Sequence, residues 1–241
     1  MSSQYTSQEA LKEVDALAAK QQSIYVYEAP VRLWHWVNAL AMTVLAVTGY
    51  FIAEPLPSTA GEASENYLMG WMRYIHFSAG YVLAIGFLGR IYWAFVGNKH
   101  ARQIFVLPVW DKDWWKEIVF EAKWYLFLER DPKKYVGHNP LAHLAMFGVF
   151  VTGTILMILT GFALYAEGAG QDSLHYALFG WVIVLFGDSM QVHTWHHIGM
   201  WVLIIFVMIH VYAAIREDIM SRQTMISTIV NGLRSYKDDR P

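Results

Sequence analysis

The sequence predicts an all-α membrane protein built as a four-transmembrane-helix bundle. The chain of 241 residues is 56% hydrophobic, and its mean hydropathy of +0.28 is high for a soluble domain of this size. Four of its apolar stretches are as long as a bilayer crossing requires, about 20 residues each. The 11 Trp and 14 Tyr residues are typical of helices that cross two membrane interfaces.

The four spans are expected near residues 33–53, 73–96, 141–165 and 194–215. In the sequence GHNP before the third span, Asn139 is a suitable N-cap and Pro140 a suitable first helical residue. A fifth apolar segment, residues 176–187, is too short for a span, so we expect a short helix there that lies at the interface or packs on the bundle, rather than a fifth crossing.

The distribution of Lys and Arg predicts the orientation. The 97–140 connection carries eight of them, whereas the 54–71 and 166–192 connections carry none and hold six acidic residues. By the positive-inside rule, both termini and the 97–140 connection are cytoplasmic. Within that connection, Trp and Phe residues alternate with charges over 110–130, which predicts an amphipathic helix on the inner leaflet.

We divide the chain into a polar cytoplasmic tail (1–24) without a cleavable signal peptide, a transmembrane domain (25–221) and a C-terminal cytoplasmic tail (222–241). The domain contains a weak internal repeat. The first and third spans end alike, in VTGYFIAE and LTGFALYAE, and the second and fourth each carry a histidine 14 residues before a similar pentapeptide, RIYWA or HVYAA. This pattern indicates a duplicated two-helix unit, although shared membrane composition is the alternative.

The chain has no cysteine and ten histidines. Disulfides, iron–sulfur ligation and covalent c-type haem attachment are therefore excluded. His196 and His210 are 14 residues apart, which on a helix is about 21 Å along the axis with directions within about 40° of each other. Matching depth across the spans pairs His76 with His196 near the outer side and His35 with His210 near the inner side.

Each pair takes one imidazole from each of two helices, which is how a helix bundle clamps a haem. We therefore predict two non-covalent b haems with bis-His ligation, suited to electron transfer because no iron position is left open. An interfacial role is the alternative for a single histidine, but His210 lies deep in an apolar helix, where polar groups are usually functional. The two histidines beside His196, His193 and His197, point away from this face, and we expect them to hydrogen-bond a haem propionate or to lie in water at the interface.

Three arginines are candidates for cofactor binding. Arg32 and Arg73 each precede a predicted ligand, His35 or His76, by three residues and therefore lie beside it on the helix. Their guanidinium groups are suited to pair with haem propionates. Arg90 lies at the depth of the inner haem and suits its propionates or a quinone site. Snorkelling to lipid headgroups is the alternative for all three.

Several motifs resemble the b-type cytochrome subunit of membrane-bound nickel–iron uptake hydrogenases. They are YVYEAPVRLWHWVNAL, RYIHFSAG, GRIYWAFVGN, WYLFL, GHNPLA, HTWHHIGMW and HVYAAIREDIM, and the resemblance extends from Tyr25 to about Tyr236. It implies a bacterial inner-membrane subunit that docks the periplasmic hydrogenase small and large subunits. Electrons would pass from the outer to the inner haem and on to a membrane quinone, while hydrogen chemistry stays in the partner subunits. The family's haem ligands fall on His35, His76, His196 and His210.

Other hypotheses remain at this point. A sister subunit of another periplasmic dehydrogenase, such as formate dehydrogenase, would use the same haem scaffold. A transporter with a histidine proton path is disfavoured because carboxylates are lacking inside the spans away from the interfaces. A haem-free membrane anchor is the simplest alternative. The partners expected are hydrogenase subunits, quinone and the bilayer, with no nucleic acid.

Overall fold

The computed structural model describes residues 23–57 and 66–236, together with Gln8, Lys12 and Val14. This part of the chain is mainly helical. Its elements in order are β1 (Ser23–Tyr25), α1 (Ala29–Ala53), α2 (Leu68–Val96), α3 (Lys112–Tyr125), α4 (Pro140–Ala169), α5 (Leu174–Phe186), α6 (Ser189–Met220), α7 (Met225–Asn231) and β2 (Leu233–Ser235).

Four helices, α1, α2, α4 and α6, are long and apolar enough to cross a membrane, which confirms the four predicted spans. Each is longer than the apolar stretch that predicted it, because polar and aromatic residues at the interfaces continue the helix. Large apolar side chains such as Phe95, Ile85 and Met208 are exposed along them. A surface of this kind is suited to contact with lipid chains.

Helix α4 begins as the sequence predicts and then departs from regular geometry. The Asn139 side chain accepts a hydrogen bond from the backbone N–H of Ala142 at 2.7 Å, and Pro140 follows the cap. A π-helical turn then occupies Met146–Val151. The hydroxyl of Thr152 donates to the carbonyl oxygen of Gly148 within this turn. Such turns are rare within α-helices, and the hydrophobic pattern does not indicate this one.

Both of the shorter helices predicted between the spans are present, and their place at the membrane interface stays a prediction. Helix α3 starts at an Asp111 cap and buries Trp114, Glu121 and Trp124 while it exposes Trp115. Helix α5 has 13 residues, too few for a bilayer crossing, and ends at a glycine with positive φ, Gly187. Residues 222–241, which the sequence predicts only as a C-terminal tail, include α7 and β2.

The chain forms two compact units. The first comprises Met1–Leu33, Tyr92–Thr152 and Ile205–Pro241. Its apolar core gathers Val14, Val26, Tyr27, Val31, Ala101, Val136 and Tyr236. In this unit β1 and β2 pair antiparallel, with Ser23 opposite Ser235. Buried Arg234 links β2 to the segment before α4, because its guanidinium donates to the carbonyl oxygens of Tyr135 and Gly137 at 3.0 and 2.7 Å.

The second unit comprises Trp34–Ile91 and Gly153–Ile204. It contains most of α1 and α2, the later part of α4, all of α5 and the first half of α6. An apolar cluster of Ala163, Val182 and Val192 packs α5 against α4 and α6. This unit holds five of the seven residues predicted to bind the cofactor: His35, His76, His196, Arg73 and Arg90.

Candidate haem site

His76 on α2 and His196 on α6 face each other inside the second unit. Their ring centroids are 6.5 Å apart and the ring planes are inclined by 71°. An imidazole–metal bond is about 2 Å long, so two imidazoles on opposite sides of one metal have centroids roughly 6 Å apart. The separation therefore fits two rings that share one iron.

The Nδ1 atom of His76 is held by a threonine of α1. Thr48 Oγ1 lies 2.9 Å from His76 Nδ1 and donates to the carbonyl oxygen of Val44 at 2.6 Å. A hydroxyl carries one proton, so Thr48 accepts from the imidazole once that proton is given to Val44. His76 is then neutral with its proton on Nδ1, and Nε2 is the nitrogen suited to bind a metal.

His196 is held in the same way by the corresponding residue of α4. Thr160 Oγ1 donates to the carbonyl oxygen of Leu156 at 2.7 Å and lies 2.8 Å from His196 Nδ1. The same proton count puts the imidazole proton on Nδ1 and leaves Nε2 as the donor atom. The two halves of the weak sequence repeat thus support their histidines by equivalent contacts.

A glycine follows each of these threonines, and the histidine ring packs on it. A Cβ atom at Gly49 would lie 3.1 Å from Cε1 of His76, and one at Gly161 would lie 3.2 Å from Cε1 of His196. The Thr-Gly pair is therefore a seat: the hydroxyl orients the ring and the missing side chain makes room for it. Gly199 serves helix packing instead, since a Cβ there would lie 2.7 Å from the sulfur of Met157.

The histidines beside His196 have other contacts. His193 Nδ1 lies 2.9 Å from the carbonyl oxygen of Ser189, and His197 Nε2 accepts a hydrogen bond from Trp201 Nε1 at 3.0 Å. Helix α6 begins at Ser189, so His193 lies within the helix rather than before it. In the described part of the chain, no group of three His, Cys, Asp or Glu side chains is placed to hold a metal ion.

His35 and His210 belong to different units. His35 is half-buried in the second unit, with the ring of Trp36 edge-on at 5.1 Å. His210 is half-buried in the first unit and stacks on Phe206, with centroids 6.1 Å apart and planes inclined by 14°. Their predicted pairing around an inner haem stays a prediction.

The three arginines differ in their surroundings. Arg32 Nη1 donates to the carbonyl oxygen of Val230 at 3.1 Å within the first unit. Arg73 is exposed on α2. Arg90 is only 3% exposed and its guanidinium lies 5.4 Å from the centre of the Trp34 ring. Burial of Arg90 within a span argues against simple snorkelling, and the cofactor roles of all three stay predictions.

Thr48 and Thr160 are part of the haem site but are not among the residues predicted from the sequence. The sequence signal for them is the Thr-Gly pair that recurs at the ends of the first and third spans, in VTG and LTG. A threonine in a transmembrane helix normally bonds to the carbonyl four residues earlier, so its second contact is visible only in three dimensions.

Two inward-facing imidazoles, each presented by its own transmembrane helix in the Nδ1-protonated form, define the kind of site used by membrane-embedded b-type cytochromes. Residues 26–232 match the prokaryotic cytochrome b561 family, and the chain belongs to this family. Family membership implies haem b, which is held without cysteine.

Several curated relatives are similar over nearly the whole chain. The chain is 67% identical to the "Probable Ni/Fe-hydrogenase B-type cytochrome subunit" of Azotobacter vinelandii, over 92% of each chain. It is 60% identical to the protein of the same name from Rhodobacter capsulatus, over 92% of this chain and 85% of the relative. It is 54% identical to the "Probable Ni/Fe-hydrogenase 1 B-type cytochrome subunit" of Escherichia coli (strain K12), over 89% and 92%.

Proposed function

We propose that the chain is the haem-bearing electron-transfer subunit of a membrane-bound nickel–iron hydrogenase. It anchors the hydrogenase small and large subunits on the periplasmic side and passes electrons through two b haems to a membrane quinone. The observation that carries the proposal is the facing pair of His76 and His196, each held on Nδ1 by a threonine. The names of the relatives support a hydrogenase rather than another dehydrogenase as partner.

His76 and His196 hold the outer haem in this proposal. The haem supplies a reversible one-electron site, and ligation by two imidazoles leaves no iron position for oxygen or substrate. Thr48 and Thr160 fix the ring orientation by accepting a hydrogen bond from Nδ1–H, and this contact makes each Nε2 a stronger ligand for the iron. The protein's contribution is thus a rigid pair of ligands that need not move when an electron arrives.

His35 and His210 hold the inner haem, as the sequence pattern predicts. His210 is 14 residues beyond His196 on α6, so one helix supplies a ligand to each haem. The stacked ring of Phe206 fixes the orientation of His210. Arg32 and Arg73 are assigned to propionates, and Arg90 to the inner propionates or the quinone.

The proposed orientation puts the outer haem on the periplasmic side of the bacterial inner membrane. It is supported by the eight Lys and Arg residues of the 97–140 connection and by their absence from 54–71 and 166–192. The two acidic connections, together with α5, then form the face that docks the hydrogenase. Exposed Leu174, Leu178 and Trp181 give α5 an apolar surface for this contact or for lipid.

Hydrogen-driven reduction of the haem in isolated membranes tests the function. Membranes that contain the chain and its hydrogenase should show reduced b-type absorption bands when H2 is supplied, and added quinone should reoxidise them. Membranes without the chain should oxidise H2 with an artificial acceptor but not with quinone. Haem that is reduced by formate and not by H2 would assign the chain to the sister dehydrogenase instead.

A further inference from the structure

Helix α7 reverses the arrangement of polar and apolar side chains that is usual in water. Thr228 is fully buried and its hydroxyl donates to the carbonyl oxygen of Thr224, while the Ser235 N–H donates to Thr224 Oγ1 at 2.8 Å. On the outer face, Ile226 is 46% exposed and Val230 is 62% exposed, one helical turn apart. A helix surrounded by water would bury these two side chains and expose the threonine.

The last two turns of α6 are arranged in the same way. Arg216 and Glu217 are buried against α3, where Arg216 Nη2 donates to the carbonyl oxygen of Trp124 at 2.7 Å and Trp124 Nε1 donates to Glu217 Oε1 at 2.8 Å. Ile215 and Ile219 are exposed instead, four residues apart and therefore on one face. The exposed apolar surface of this span thus continues to the end of the helix.

Two hydrogen bonds hold α7 against the ends of two spans. The backbone N–H of Ile226 donates to Asp218 Oδ1 at 2.9 Å, and Asp218 lies in the last turn of α6. At the other end of α7, the carbonyl oxygen of Val230 accepts from Arg32 Nη1 at 3.1 Å, and Arg32 lies in the first turn of α1. All four residues belong to the first unit. Helix α7 therefore bridges the C-terminal end of α6 and the N-terminal end of α1.

Exposed apolar side chains of both spans adjoin these contacts. Leu33 directly follows Arg32 and Ile219 directly follows Asp218, and both side chains are about two-thirds exposed. The spans cross the bilayer, so side chains of this kind at their ends meet lipid. Lipid is also the favourable environment for an apolar surface that continues theirs, because it keeps that surface out of water.

We propose that α7 is a membrane anchor that lies in the plane of the bilayer surface. Ile226 and Val230 enter the acyl-chain boundary of the leaflet where α6 ends and α1 begins. Exposed Arg222, in the turn before α7, lies at the level of the lipid phosphates and complements their negative charge. The anchor fixes the ends of the two spans that carry His35 and His210. It does not depend on a hydrogenase, a haem or a quinone.

Spin labelling of the full-length chain tests the proposal, because the chain has no cysteine and a single introduced cysteine carries the label. Ile226→Cys and Val230→Cys are labelled with a nitroxide and reconstituted in vesicles of phosphatidylethanolamine and phosphatidylglycerol. We expect collisions with oxygen, which concentrates among acyl chains, to exceed collisions with a water-soluble nickel chelate severalfold. Lys116→Cys is the control, because the Lys116 side chain on α3 is 77% exposed and charged. Its label should collide mainly with the chelate.

Collisions mainly with the chelate at positions 226 and 230, as at position 116, would overturn the proposal. Labels shielded from both reagents would show that a protein partner or a second copy covers α7, and would equally overturn it.

The unsubstituted chain provides a second test if the labelled variants do not fold. A phospholipid with a photoreactive group in its acyl chain should modify residues 223–234, which trypsin releases by cleavage after Arg222 and Arg234. Modification of the spans without modification of this peptide would contradict the placement of α7 in lipid.

Discussion

At the scale of single residues, two threonines decide which histidine nitrogens are available in the second unit. The hydroxyl groups of Thr48 and Thr160 each donate a hydrogen bond to a backbone carbonyl of their own helix. Each therefore accepts a hydrogen bond from the Nδ1–H group of a histidine on a neighbouring helix. This fixes the tautomer without a charged group in the membrane. A carboxylate in the same place would orient the ring as well but would require its own counter-charge.

Thr48→Val should weaken retention of the outer haem by about 10- to 100-fold, the usual cost of removing the partner of a metal-bound histidine. The rate of haem loss to an excess of a haem scavenger measures this effect. Thr43→Val is the matched control, because Thr43 on the same helix bonds only to the carbonyl oxygen of Ala39, at 2.8 Å. Equal loss in the two variants would contradict the role assigned to Thr48.

Glu121 makes the stability of the protein depend on pH in a predictable direction. Its pKa is about 8 in the folded protein against an ordinary value of 4.5. Between these values the folded state keeps a proton that the unfolded state has lost, so stability falls as pH rises, by up to about 1.4 kcal/mol per pH unit. Glu121→Gln removes this contribution. Its unfolding temperature should therefore gain on the wild-type value between about pH 5 and about pH 8, and parallel pH profiles would contradict the assignment.

At the scale of elements, the sequence predicts the helices, but it does not predict their irregular turns or the contacts between distant segments. The four spans, the amphipathic α3, the short α5 and the Asn139–Pro140 start of α4 all follow from hydrophobic length, periodicity and capping preference. The π-turn in α4 does not, because it interrupts a continuous helical pattern without a sequence signal, and neither does the pairing of β1 with β2, which joins residues distant in sequence. Likewise, the sequence pairs His76 with His196, whose rings lie close together, but it does not indicate the threonines beside them.

The repeated Thr-Gly seat also makes a prediction for α4. Gly161→Ala should displace the His196 ring, because the added Cβ would lie 3.2 Å from its Cε1 atom. We expect a lower haem content and a shifted absorption maximum for the outer haem, measured in reduced-minus-oxidised spectra. Gly168→Ala is the control on the same helix, since a Cβ there meets no atom of the described residues within 4 Å. Identical spectra for both variants would show that the ring does not depend on the seat.

At the scale of the whole molecule, the charge distribution predicts one orientation in the membrane. A reporter that is active only after export should be active when inserted in the 166–192 connection and inactive when fused after the C-terminus. The opposite pattern would place the His76–His196 pair on the cytoplasmic side and remove the proposed contact with a periplasmic hydrogenase. Replacement of Lys and Arg in the 97–140 connection should weaken the preference, because these residues carry the bias.

The central prediction for this protein is that two haems are bound by separate pairs of ligands, and the haem content per chain tests it most directly. We predict two b haems in the wild-type protein, one in His196→Ala, one in His210→Ala and two in His197→Ala, determined as haem per polypeptide with the reduced-minus-oxidised spectrum. Equal losses in His196→Ala and His197→Ala, or a wild-type protein with a single haem, would contradict the account.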